Sequence, residues 1–215
     1  MSETIAIIGA GPLGRWLALS AARAGFRVLL EDVMPANLHH ARQFLREQLG
    51  AELSPRSSLL ISGSENAGPS AAVPAATSAQ DDSMVGVTLV STIEDAVREA
   101  DLAIDCVPDE LESKLEILWL LDRMAPPRTV LATPTTRLSI ADLASCTYRE
   151  EKCVAIAAIA AEAKDLAGNP GAQILLRTTT KTSPETVALV RDFWQRLGFT
   201  PIFARDPAEQ TAKNI

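Results

Sequence analysis

Three glycines near the N-terminus have the spacing of a phosphate-binding turn. Gly9, Gly11 and Gly14 form the pattern G-x-G-x-x-G. In this pattern the first glycine permits a tight turn, the second lets backbone approach a pyrophosphate, and the third lets the following helix pack against the strand. The phosphates would lie at the helix N-terminus, where free N–H groups and the helix dipole favour an anion. These residues therefore indicate that the chain binds a dinucleotide.

An acidic residue follows at the end of the next apolar segment, where a dinucleotide would place its adenosine ribose. This residue is Asp32. A carboxylate there accepts hydrogen bonds from the ribose hydroxyls and repels a 2′-phosphate, so the sequence favours NAD over NADP. A bare glycine motif is a weak signal. The order of strand, glycine turn, helix, strand and acid is much more specific.

The elements that hold these residues alternate between strand and helix. The apolar run 5–8 is typical of a buried parallel strand, and the helix after it has an apolar face and ends at Gly25. The same reasoning predicts the strands 27–32, 87–90, 102–107, 129–133, 152–160, 174–178 and 200–204. It predicts the helices 36–49, 93–99, 109–123, 140–144 and 184–197. This alternation predicts a single α/β domain over 1–215, with a Rossmann-type, doubly wound, mostly parallel sheet.

One segment interrupts the alternation. Residues 62–83 are rich in Ala, Ser, Pro and Gly and contain no large apolar side chain except Val73. We expect a mobile loop rather than a domain linker, because strand and helix resume beyond it. The only two histidines, His39 and His40, lie before it on the helix 36–49, where we expect a solvated surface.

The overall composition excludes several classes of partner. The net charge of -7 argues against nucleic acid and against an anionic membrane surface. No apolar run is long enough to span a bilayer, and no secretory signal is visible. Cys106, Cys146 and Cys153 lack metal-ligand spacing, so we expect reduced thiols, a cytoplasmic location and no metal site, with Cys106 inside a buried strand.

Three further segments resemble one enzyme family. Residues 100–114 resemble the strand, turn and helix that follow the fourth strand in 3-hydroxyacyl-CoA dehydrogenases. Residues 131–143 resemble that family's Asn-Thr-Ser-Ser-Leu segment, and 182–202 resemble the closing helix and strand of its NAD-binding domain. The resemblance covers nearly the whole chain except about 50–85 and 153–175. It implies NAD as the cofactor and a setting in fatty acid metabolism.

The resemblance also implies roles for individual residues. Asp109 would contact the nicotinamide half of the cofactor, and Lys114 lies one helical turn further on. Thr136 takes the place of a serine that hydrogen-bonds the substrate oxygen, and Pro134 replaces an asparagine. Thr136 is thus the only catalytic candidate. The implied cofactor-binding residues are Gly9, Gly11, Pro12, Leu13, Gly14, Asp32, Val107, Pro108, Asp109, Lys114 and Thr133.

The family's catalytic pair, a histidine base oriented by a glutamate, does not carry over. Counting forward from Arg149 places the histidine at Ala157. Counting back from Ser183 places it near Ala163 and the glutamate at Leu175. The remaining polar candidates for a base, all expected to be solvated, are Tyr148, Glu162, Lys164 and Asp165.

Two further family features find no match, and three interpretations stay open. Residues 206–215 lack the sequence that leads into the family's helical C-terminal domain, and Arg56 is the only cation in 50–80, where the family meets CoA phosphates. The chain could be an NAD-binding module, sensor or subunit that has lost dehydrogenase chemistry. It could be an active dehydrogenase on a small hydroxy substrate that uses Thr136. It could also be the cofactor-binding half of a two-chain enzyme, with 153–172 and Trp194 as interface candidates; a homodimer is a further alternative.

Overall fold

The computed structural model describes residues 3–53, 83–84, 86–157 and 171–211. The loop expected at 62–83 lies outside the described residues except for Ser83. Ala163, Glu162, Lys164 and Asp165 also lie outside them.

The described residues contain one sheet of nine strands. The strands are β1 (Thr4–Ile8), β2 (Arg27–Glu31), β3 (Ser83–Met84), β4 (Val87–Val90), β5 (Leu102–Asp105), β6 (Val130–Pro134), β7 (Cys153–Ile156), β8 (Gln173–Thr178) and β9 (Thr200–Arg205). Their order is β3-β4-β2-β1-β5-β6-β7-β8-β9. The pairs β3–β4 and β7–β8 are antiparallel and all other neighbours are parallel. The predicted Rossmann-type, mostly parallel sheet is confirmed, and the two-residue strand β3 adds to the eight expected strands.

Helices connect these strands, and their starts follow local sequence signals. The helices are α1 (Pro12–Arg23), α2 (Pro35–Leu53), α3 (Ile93–Val97), α4 (Leu111–Met124), α5 (Ile140–Ala144), α6 (Pro184–Arg196) and α7 (Pro207–Thr211), with a 3₁₀ turn at Glu150–Lys152. At α6 the Ser183 hydroxyl accepts the Thr186 N–H at 3.1 Å and Pro184 takes the first helical position. None of the helices in the described ranges combines the length and apolarity needed to cross a membrane.

The two faces of the sheet bury separate apolar layers. Alternate residues of β1, Ile5 and Ile7, face α1, α2 and α6, while Ala6 and Ile8 face α3, α4 and α5. Trp194 lies fully buried in the first layer, with its ring centroid 5.2 Å from that of Phe193 and 5.6 Å from that of Phe199. The prediction of Trp194 as an interface residue is therefore wrong. Its helical spacing shows an apolar face but not what covers that face.

Helix α4 buries two charged side chains. Leu111 in its first turn is half-exposed, whereas Lys114 and Asp122 are buried. Asp122 accepts a hydrogen bond from Arg149 Nε at 2.7 Å, and the guanidinium also donates to three carbonyl groups at the end of α4. Cys106 was expected inside a buried strand, but it is half-buried and lies just after β5. His39 and His40 are exposed on α2, as predicted.

Candidate functional site

The carboxyl edge of the central strands collects buried polar atoms that lack partners. In the described residues, four buried side-chain oxygens have no hydrogen-bond partner: Glu31 Oε1, Asp105 Oδ2, Asp109 Oδ1 and Thr133 Oγ1. Glu31 and Asp105 end β2 and β5, Thr133 lies in β6, and Asp109 lies in the turn after β5. A buried polar group without a partner costs roughly 1–3 kcal/mol, so such groups call for an explanation. Their clustering at the carboxyl ends marks the edge where open α/β sheets bind ligands.

The three glycines serve different purposes at this edge. Gly9 has φ 104°, a conformation that favours glycine, and its N–H donates to Glu31 O at 2.8 Å. A Cβ on Gly14 would overlap the carbonyl oxygen of Gly9 and lie 3.0 Å from its carbonyl carbon. A Cβ on Gly11 would meet no atom within 4 Å. The chain itself therefore requires Gly9 and Gly14, whereas Gly11 borders open space into which a ligand can come.

The N-terminus of α1 lies beside that open space. Gly11 is the N-cap and offers no side-chain acceptor, Pro12 is the first helical residue, and the first turn has no acid. The N–H groups of a first helical turn have no intrahelical partner and carry the positive end of the helix dipole. Together with the approach open at Gly11, this arrangement fits a pyrophosphate.

Asp32 connects the glycine turn to the start of α2. Its Oδ2 accepts the Ala10 N–H at 2.8 Å, and its Oδ1 accepts the Met34 N–H at 2.8 Å. The Asn37 side-chain amide donates to both oxygens, at 3.1 and 3.0 Å. The carboxylate is thus held at the carboxyl end of β2, where the adenosine ribose is expected. Sequence reasoning did not identify Asn37, although its separation from Asp32 is typical of a side chain one turn into the following helix.

Glu31 is the unpartnered acid at this end of the site. Its side chain is buried, on the opposite face of the sheet from Leu30. Burial, and in second place the neighbouring Asp32 carboxylate, raises the pKa of Glu31 to about 7. An ordinary glutamate in the unfolded chain has a pKa near 4.5, so the folded chain binds this proton more tightly than the unfolded chain does.

This difference in the pKa of Glu31 predicts that the ionised side chain lowers the free energy of unfolding at neutral and higher pH. A single substitution should remove this effect. Because the pKa of Glu31 is higher in the folded state, stability should fall as pH rises from about 4.5 to about 7, and the full cost is present above pH 7. We expect Glu31→Gln to be more stable than the parent chain by about 1–2 kcal/mol at pH 8, and to match it at pH 4. Urea unfolding at both pH values measures this. An equal stability difference at both would contradict the assignment.

Lys114 and Asp105 form a fully buried ion pair. Their side chains are each 0% exposed, and Lys114 Nζ donates to Asp105 Oδ1. Burial raises the pKa of Asp105, and the Lys114 ammonium offsets part of that rise. Burial also raises the pKa of the Cys106 thiol, so this neighbouring cysteine is a poor nucleophile. Sequence reasoning missed Asp105, since it ends an apolar strand, and placed Lys114 here only through the resemblance.

Asp109, in the turn after β5, contacts Thr136, in the loop after β6. The Thr136 N–H donates to Asp109 Oδ2 at 3.1 Å, and the Thr136 hydroxyl lies 3.5 Å from the same oxygen. Thr136 is exposed. Arg177, on β8, donates from Nη1 to the Thr136 carbonyl oxygen at 3.4 Å. Sequence reasoning gave no indication of Arg177, because 41 residues separate it from Thr136.

Two positions from the two counts for the family's catalytic pair lie side by side: Ala157, the forward count for the histidine, and Leu175, the backward count for the glutamate. The backward count for the histidine, Ala163, lies outside the described residues. The Ala157 N–H donates to the Leu175 carbonyl oxygen at 2.8 Å, where β7 and β8 run antiparallel. Both side chains are apolar, so neither can accept a proton. Tyr148 is 97% exposed and precedes β7, which places it at the opposite edge of the sheet. It is solvated, as expected.

Comparison with known proteins agrees with this geometry. The chain is 29% identical to a probable 3-hydroxybutyryl-CoA dehydrogenase of Bacillus subtilis (strain 168), over 71% of this chain and 47% of that protein. It is 28% identical to a 5-formyl-3-hydroxy-2-methylpyridine 4-carboxylate 5-dehydrogenase of Mesorhizobium japonicum, over 95% of this chain and 58% of that protein. A solved structure of an enzyme with this activity, an NAD+-dependent dismutase, superposes with a TM-score of 0.70 at 26% identity, covering 99% of this chain and 62% of that one.

The chain spans about half the length of these curated relatives. The family model that describes the NAD-binding domain of 3-hydroxyacyl-CoA dehydrogenases matches residues 4–158. This match includes the glycine turn, Asp32, the buried Lys114–Asp105 pair and the Asp109–Thr136 contact. The chain therefore belongs to the family of 3-hydroxyacyl-CoA dehydrogenase NAD-binding domains, and its cofactor is NAD.

Proposed function

We propose that this chain is an NAD(H)-binding module that lacks the His/Glu-dependent dehydrogenase chemistry of its family. The observation that carries the proposal is that neither count for the family's catalytic pair meets a histidine or a carboxylate: the positions are Ala157, Ala163 and Leu175, and Ala157 and Leu175 are adjacent apolar residues in the sheet. Oxidation of a hydroxyl by hydride transfer needs a group that accepts the hydroxyl proton, and such help is worth about 10²–10⁴ in rate. The cofactor supplies the hydride chemistry when bound.

The binding roles follow from the contacts at the carboxyl edge. The backbone at Gly11 and the N-terminus of α1 would hold the pyrophosphate, with Pro12 and Leu13 in the first turn of the helix. Asp32, oriented by Ala10 and Asn37, would accept the adenosine ribose hydroxyls. The nicotinamide half would lie along the segment from Val107 to Asp109, above Thr133 and Lys114. The unpartnered oxygen Asp109 Oδ1 lies at this end and supports a polar ligand there.

A second candidate is an active oxidoreductase on a small hydroxy substrate. The exposed Thr136 hydroxyl beside Asp109 favours it, because a hydroxyl backed by a carboxylate can bind a substrate oxygen. The third candidate, the cofactor-binding half of a two-chain enzyme, is supported by the exposure of Thr136 on this side of the site. A partner chain could cover that side.

Titration with NADH, followed by nicotinamide fluorescence, tests the proposal. We expect the parent chain to bind and Asp32→Ala to bind at least tenfold more weakly, since a lost charge-assisted hydrogen bond is worth about 1.5–3 kcal/mol. Asp192→Ala is the matched control, because Asp192 is an exposed acid on α6. It should bind NADH as the parent does.

Two outcomes would overturn the proposal. Failure of the parent chain to bind NADH would remove the cofactor role itself. Steady reduction of NAD by 3-hydroxybutyryl-CoA would contradict the loss of dehydrogenase chemistry. Loss of that reduction in Thr136→Val would then favour the second candidate. Dependence of the reduction on a co-purifying helical protein would favour the third.

A further inference from the structure

Arg177 is a cation held next to the candidate site with most of its donors unused. It lies on β8 opposite Ala155 and is half-buried. Its single hydrogen bond is the one to the Thr136 carbonyl oxygen, at 3.4 Å, and no carboxylate of the described residues pairs with it. A guanidinium has five N–H donors. By contrast, Arg149 donates to Asp122 and to three carbonyl groups, which accounts for its burial structurally.

Within the described ranges, the surroundings of Arg177 leave its charge without compensation. Leu175, two residues earlier on the same face of β8, is apolar, and Ala155 opposite is small and buried. Asp109 makes its contacts with Thr136 instead of with Arg177. The buried Lys114 is neutralised by Asp105, whereas Arg137, the exposed neighbour of Thr136, has no carboxylate partner in the described ranges. Counted over the described residues alone, this end of the site therefore carries an excess of positive charge, although the net charge of the chain is -7.

We propose that Arg177 binds the carboxylate of a small oxo- or hydroxyacid whose oxygen lies at the Thr136 hydroxyl. The planar fork of a guanidinium matches a carboxylate through two parallel hydrogen bonds. Because Arg177 contacts the backbone of the residue that carries the hydroxyl, the two ligand groups must be only a few atoms apart. This geometry suits a short acid with its oxygen near the carboxylate. A thioester substrate has no carboxylate that Arg177 could bind in this way.

The inference rests on the proposed NAD(H) binding, so the test starts from the NADH complex. Acetoacetate, pyruvate and 2-oxoglutarate, each beside its methyl ester, are titrated into this complex by calorimetry. We expect at least one acid to bind at least tenfold more tightly than its ester. Arg177→Met should lower the affinity for the acid by about tenfold to a hundredfold, which is the effect of losing a charge-assisted hydrogen bond. The variant should then bind the acid and its ester equally. Arg177→Lys keeps the charge without the fork and should lie between.

The controls separate this inference from the function on which it rests. NADH affinity should be unchanged in Arg177→Met, which also shows that the variant is folded. Arg123→Met, on the far end of α4, removes an exposed arginine that contacts Trp119 and should leave acid binding unchanged. A parent chain that fails to bind NADH overturns the proposed function. A chain that binds NADH but binds every acid no better than its ester, or binds acids equally well in Arg177→Met, overturns the role of Arg177 alone.

Discussion

Gly14→Ala is expected to disrupt both folding and cofactor binding. The added Cβ would overlap the carbonyl oxygen of Gly9, which is backbone within the phosphate-binding turn and cannot rotate away. Either α1 moves off β1 or the turn changes shape, and overpacking of this kind costs about 3 kcal/mol or more. We expect a matching loss in urea unfolding free energy and no saturable NADH binding. A stability within about 1 kcal/mol of the parent would contradict the close approach of α1 and β1.

Gly11→Ala is the matched control, because it adds the same methyl group three residues earlier. Its Cβ would meet no protein atom within 4 Å, and the N-cap backbone has φ -66°, which alanine adopts without strain. Stability should therefore fall by no more than about 1 kcal/mol, the scale on which alanine is less favourable than glycine at an N-cap. NADH affinity should still fall at least tenfold, because the methyl group occupies the space proposed for the pyrophosphate. Unchanged affinity would place the phosphates elsewhere.

These two glycines also show what a sequence can predict and why. The tight turn, the close packing of helix on strand and the acid after the second strand depend on residues within one βαβ unit, so local spacing determines them. The same locality explains why the start of α6 at Pro184 was predicted correctly, since the accepting Ser183 hydroxyl, the proline and the donating Thr186 N–H lie within four residues. The fold follows from the repetition of such units, because parallel strands with helical crossovers admit few arrangements.

Contacts between segments that are distant in the sequence were not predicted, because local spacing does not determine them. In the sequence, Asp105 is part of an apolar strand, and only the packing of α4 shows that it pairs with Lys114. Arg177 likewise looks like an ordinary strand residue, and only the fold shows that β8 lies beside the loop that carries Thr136. Trp194 was an interface candidate only for the alternative of a two-chain enzyme. The partner that covers it is the sheet of its own chain. In each case the missing information is which segments pack together.

Lys114→Met is expected to cause a large, pH-dependent loss of stability. The substitution leaves Asp105 buried without its counter-charge, and breaking a buried pair in this way costs about 3–5 kcal/mol. Burial already raises the pKa of Asp105, and loss of the ammonium should raise it further. The variant should therefore lose less stability at pH 5, where Asp105 is more readily protonated, than at pH 8. Urea unfolding at the two pH values checks the direction, and a pH-independent loss would argue against an ionised pair.

The double variant Asp105→Leu, Lys114→Met separates the structural role of the pair from its proposed part in cofactor binding. Replacing both charges with apolar residues of similar size leaves no unpaired group, so stability should return to within about 1 kcal/mol of the parent or exceed it. Because the Lys114 side chain is 0% exposed, we propose that its ammonium acts on the nicotinamide half of the cofactor indirectly, by holding Asp105 and the carboxyl end of β5 in place. If so, the double variant should bind NADH at least tenfold more weakly than the parent chain, even though its stability is restored. Full NADH affinity in a stable double variant would instead make Lys114 a structural partner of Asp105 and nothing more.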